Sequence, residues 1–64
     1  MYPQFDLPED DHYVTRTEQQ NVYEVFSSTI DLSELIDAVQ STGYTILRSY
    51  VNRYSCAVVK FKTQ

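Results

Sequence analysis

One stretch alone carries a helical apolar period, and that limits everything else the chain can build. In "IDLSELIDAVQSTGY", Leu32, Leu35, Ile36 and Val39 recur at i, i+3, i+4 and i+7, which places them on one stripe of a helix. Asp31 stands where an N-cap belongs, and Glu34 follows at capping-box spacing. Ile30 and Leu35 occupy the two positions of a hydrophobic staple. Gly43 suits the left-handed residue that ends a helix, and Tyr44 falls where a closing apolar contact onto Val39 is wanted. The spacing predicts one helix over about 32–42. The remainder of the 64 residues must organise around it as strands and loops.

The strongest strand signals follow the helix. Tyr44–Val51 and Tyr54–Thr63 are rich in β-branched and aromatic residues, and a turn around Asn52–Arg53 would join them as a hairpin. Arg53 suits the positive φ of a tight two-residue turn poorly, so a three-residue loop is an open alternative. Before the helix, "VYEVFSS" at Val22–Ser28 reads as a strand. "HYVTRT" at His12–Thr17 reads as a further edge strand, with "EQQN" turning the chain between them. The expected fold class is α+β, a single helix on a small, mostly antiparallel sheet in β-α-β-β order. The sheet has three strands, or four if His12–Thr17 pairs. Pairing Val22–Ser28 with the last strand gives the order 1-3-2. An N-terminal hairpin pairing with the C-terminal one around the helix is the second arrangement.

Register decides which side chains share a face of the hairpin. With a two-residue turn, one face carries Tyr44, Ile46, Ala57, Val59 and Phe61, and the Tyr44 argument makes it the core. The other carries Leu47, Val51, Tyr54, Cys56 and Val58, with Lys60, Lys62, Thr45 and Ser49 toward one end. A sheet covered by one helix should be polar on its free face. Apolar residues on both faces therefore call for a cover: the N-terminal segment, an identical subunit or another protein.

Charge divides the chain. Residues 1–43 carry nine acids and one base, whereas residues 44–64 carry Arg48, Arg53, Lys60 and Lys62 with no acid. The net charge is -4. Residues 1–12 are expected as a flexible acidic arm, with Pro3 and Pro8 opposing regular structure and Tyr2, Phe5 and Leu7 its only anchors. Residues 13–64 form the single domain, which at this size has a thin core.

Chemistry is sparse. One His (His12) and one Cys (Cys56) are too few for a common zinc set or an internal disulfide. "DLPEDD" lacks the glycine and spacing of a calcium loop. No glycine-rich phosphate loop exists in a chain whose one glycine ends a helix. No cofactor and no catalytic residue is expected. No signal-peptide pattern or membrane-length apolar run is present, so a cytoplasmic protein is expected.

These features point to a small non-catalytic protein-binding module, a regulator or inhibitor of a larger protein that also self-associates as a homodimer. Its size and acidity are those of phage-type or antitoxin-type regulators, and its target could be a nucleic-acid-handling enzyme. The expected partner-binding residues are Leu47, Arg48, Tyr50, Val51, Arg53, Tyr54 and Val58, with Arg and Tyr favoured as anchors. Asp6, Glu9, Asp10, Asp11, Glu18 and Glu24 form an acidic surface suited to a basic groove. The alternative is a single-stranded nucleic-acid-binding protein that uses the basic and aromatic hairpin. Four bases are fewer than the roughly 6–10 phosphate contacts of strong binders, and the acidic remainder opposes that reading.

Overall fold

The computed structural model describes residues 3–63. The N-terminal hairpin consists of β1 (Tyr13–Arg16) and β2 (Val22–Ser27), α1 (Leu32–Ser41) follows, and β3 (Thr45–Val51) and β4 (Ala57–Lys62) form the second hairpin. All four strands join one antiparallel sheet in the order β1-β2-β4-β3. The fold is α+β, one helix on a four-stranded sheet. β2 pairs with β4, one of the two arrangements the sequence left open. The His12–Thr17 segment does pair, so the element order is ββαββ rather than β-α-β-β, and β1 is added at the outer edge.

The helix stripe does what its spacing dictates. Leu35 and Val39 are fully buried, with Leu32 and Ile36 packed around them, against Val25, Val59 and Phe61 from the sheet. Ile30 and Leu35 share this core, as a hydrophobic staple requires. Gly43 takes a φ of 92°, and the backbone N–H groups of Thr42 and Gly43 donate to Val39 and Gln40, tightening the last turn. Tyr44 then stacks on Phe61 with centroids 5.3 Å apart.

The other end of the helix departs from expectation. Asp31 has extended dihedrals but makes no side-chain capping bond. The turn into the helix is held instead by Ser27, the last residue of β2. Its hydroxyl accepts from the backbone N–H of Ile30 at 2.9 Å and of Thr29 at 3.2 Å. It donates to the Asp11 carbonyl at 2.6 Å. Ser27 is the only buried polar side chain among the described residues, and its three bonds tie β2, the helix entry and the segment before β1 at one point.

The N-terminal segment lies on the helix side of the sheet. Pro3 is buried, and Phe5 and Leu7 pack against the core. The Phe5 ring meets Phe61 edge-on at 5.4 Å and Tyr44 at 6.0 Å. Glu9–Asp11 form one 3₁₀ turn, and His12 Nδ1–H donates to the Pro8 carbonyl at 2.8 Å. Tyr2, the third expected anchor, lies outside the described residues. From Pro3 onward the segment therefore does not cover the second face. Its aromatic anchor finds Phe61 and Tyr44 on the first.

Ser27→Ala leaves three backbone groups without their partner and should cost about 1–3 kcal/mol. Ser28→Ala, at an exposed position, should change stability little. Urea unfolding of the two variants checks the contrast.

Candidate interaction face

With the helix and the N-terminal segment both on one side, the other face of the sheet is left without a covering element among the described residues. Strand alternation and register set what that face presents. Tyr13 pairs with Phe26, Phe26 with Val58, and Val58 with Tyr50. One apolar row thus crosses all four strands. Two residues along, Thr15, Glu24, Lys60 and Arg48 form a second row by the same pairings, and Lys62 extends it along β4. The face joins an apolar row to a strip of three bases and one acid.

Ring geometry refines this picture. Tyr13 and Phe26 lie 5.0 Å apart at 12°, closer than two coplanar rings set edge to edge could approach. They are face-to-face neighbours on adjacent strands, whose spacing is about 4.8 Å. The two rings therefore stack on one another across the β1–β2 pair. The Arg48 guanidinium sits 4.7 Å over Tyr50, a cation–π contact that occupies that ring's face. Val58, between Phe26 and Tyr50, is fully buried, while Tyr13 remains 60% exposed.

Of the residues expected to bind a partner, Arg48, Tyr50 and Val58 meet on this face. Leu47 does not join the ladder. Ile46 pairs with Phe61 and Arg48 with Lys60, so Leu47 is the extra residue of a bulge, exposed on the edge strand. Val51 and Ser49 are corrections. Their partners Ala57 and Val59 belong to the core side, although both side chains stay exposed. The cause is the turn. Asn52 N–H donates to the Cys56 carbonyl, closing a three-residue loop of Arg53, Tyr54 and Ser55. That is the open alternative, shifted along the chain, and it moves every facing pair of the hairpin.

Arg53 and Tyr54 consequently sit at the loop tip, where Arg53 Nη2 donates to the Tyr54 hydroxyl at 2.7 Å. Cys56 leaves the strand for the loop as well. Asn52 organises this tip: its Oδ1 accepts from the N–H groups of Tyr54 and Cys56 at 2.9 and 3.0 Å. Ser55 takes the left-handed conformation at φ 65°, which an L-residue adopts only at a cost. Tyr13, Phe26 and Glu24 are the face residues that hairpin reasoning alone missed. Their signal was the alternation of "HYVTRT" and "VYEVFS", unreadable as a face until β2 is paired with β4.

The six expected acids do not form one surface. Glu24 lies inside the basic strip, Glu18 in the β1–β2 loop and Glu9–Asp11 in the 3₁₀ turn. Asp6 instead joins Glu34 and Asp37 of the helix along a shallow groove floored by Leu7 and Ala38. Among the described residues no group of His, Cys, Asp and Glu could hold a metal ion. Cys56 Sγ approaches the Tyr54 carbonyl at 3.9 Å and His12 Nδ1 is engaged by Pro8, so neither is directed at the other. No described helix is long and apolar enough to cross a membrane. In comparisons with protein families, curated proteins and solved structures, the chain matches none.

Asn52→Ala should lower stability by about 1–2 kcal/mol through two lost loop bonds. Ser55→Gly should relieve the positive φ and leave stability equal or higher. Thermal unfolding of the pair checks both directions.

Proposed function

We propose that the protein is a non-catalytic protein-binding module, a regulator or inhibitor of a larger protein, whose working surface is the helix-free face of its sheet. The observation that carries this reading is the apolar row Tyr13–Phe26–Val58–Tyr50 lying beside Arg48, Lys60 and Lys62 on a face that no element among the described residues covers. An apolar centre with a charged margin is the anatomy of a protein interface. Tyr and Arg, the residues most enriched at binding hot spots, stand at its border. The acids grouped in the groove of Asp6, Glu34 and Asp37 remain on the opposite side of the molecule, available to a basic target surface.

A second reading, single-stranded nucleic acid, draws on the fact that three of the four C-terminal bases share a face with three aromatic rings. Two observations set it behind the first. Bases stack on open ring faces, whereas Tyr13 and Phe26 are stacked on each other and Tyr50 is topped by Arg48. Glu24 also interrupts the strip a phosphate backbone would follow.

Tyr13→Ser combined with Tyr50→Ser should keep the helical circular dichroism signal and abolish capture of protein partners by the immobilised chain. Val58→Asp is unsuitable because that side chain is fully buried and a charge there would unfold the sheet. Unchanged capture by the double variant would remove this face from the function. Retention of the parent chain on oligo(dT) at low salt, lost with Arg48→Ala and Lys60→Ala, would favour the second reading instead.

A further inference from the structure

The helix-free face of the sheet carries net positive charge on a chain that is acidic as a whole. Its second row, extended along β4, holds Arg48, Lys60 and Lys62 against one acid, Glu24. The accessible apolar footing beside it is Tyr13, 60% exposed, with Phe26 and Tyr50 half-buried, while Val58 between them has no exposed surface. Strands lie about 4.8 Å apart, so each row runs across the sheet for roughly 14 Å. Residues two apart on a strand set the rows about 7 Å from one another.

We propose that the occupant of this face is an acidic amphipathic helix of another protein. It lies across the strands, with apolar side chains on the aromatic row and carboxylates on the basic one. This rests on the reading of the face as a protein interface and names its partner. Three bases against one acid call for carboxylates opposite. Hydrogen bonding decides the backbone of the occupant. The N–H and C=O groups of β2 and β4 are directed within the sheet, to paired strands on both sides, so the face itself offers side chains only. An extended segment laid across it would press backbone groups without partners onto aromatic rings, whereas a helix satisfies its own. A helix also shows an apolar stripe and a charged flank side by side. About ten residues, at 1.5 Å each, span the rows. The chain's own α1, also ten residues long, covers part of the first face by the same means, with Glu34 and Asp37 as its charges.

Panning a phage-displayed library of random peptides on the immobilised full chain tests this. Recovered peptides should carry apolar residues at i, i+3 or i+4 and i+7, with Asp or Glu along one flank. Synthetic copies should gain helical circular dichroism on binding. Arg48→Gln combined with Lys62→Gln should weaken them roughly tenfold at low salt, and less at high salt. Gln40→Glu adds a negative charge at an exposed position of α1, on the opposite side, and should change affinity by less than about twofold. Glu24→Gln removes the one acid the carboxylates would face and should tighten binding roughly threefold, which damage to the sheet would not do. Recovery of basic peptides, of peptides without the helical period, or of none overturns the proposal. So does binding indifferent to Arg48→Gln with Lys62→Gln. Retention on oligo(dT), or dimerisation of the parent, that is lost with those two substitutions would put a nucleic acid or a second copy on the face, and overturns it too. If no acidic helical peptide is recovered and Tyr13→Ser/Tyr50→Ser still abolishes capture of another protein, the helix is wrong and the protein-binding reading stands.

Discussion

The ladder between β2 and β4 is the constraint on which the rest of the molecule depends. Six consecutive pairs, from Val22 with Lys62 to Ser27 with Ala57, join two hairpins separated in sequence by the helix. Because side chains alternate, this one register sorts both faces at once. Tyr23, Val25 and Ser27 are sent toward the helix with Phe61, Val59 and Ala57, while Glu24 and Phe26 are sent away with Lys60 and Val58. A slip by one residue would place Phe26 in the core and Val25 in solvent. The buried Ser27 hydroxyl, bonded to three backbone groups, would then lose its site.

The helix side is economical for a chain this small. One ten-residue helix is too narrow to cover four strands, and it contacts chiefly β3 and β4. The segment before β1 supplies further cover, with Phe5 against Phe61 and Tyr44 and Leu7 against the core. Asp6 lies beside Glu34 and Asp37 of the helix, so the cover of the core adds negative charge to that side of the molecule. The opposite side receives Arg48, Lys60 and Lys62 from the second hairpin. The charge division along the sequence becomes a division between two faces.

The free face is half apolar, and the halves lie along the strands rather than across them. Val58 is buried with no element of the described residues on top of it, flanked by Phe26 and Tyr50. The exposed part of the apolar surface is therefore concentrated in the aromatic residues, which are also the side chains that lose little conformational entropy on binding. Basic residues two positions along β3 and β4 bound this surface on one side, and the Arg53–Tyr54 pair stands beyond it at the loop tip. The arrangement sets an apolar row beside a strip of charge.

The helix, its C-terminal limit and its buried stripe were determined by local sequence, because the 3.6-residue period and a terminating glycine act over a few neighbouring residues. So were the strand character of Val22–Ser28 and of both C-terminal runs, and the core set Ile46, Ala57, Val59 and Phe61. Tertiary structure alone decided the register. Asn52, through two side-chain bonds, and Ser55, through its left-handed backbone, moved the turn and carried Val51 to the core side. The bulge at Leu47 then reset the alternation of β3. Tyr13 and Phe26 became part of the same face only when strands far apart in sequence were paired. Side-chain alternation is local, but which rows meet depends on where distant strands are locked together, and packing of the whole sheet fixes that.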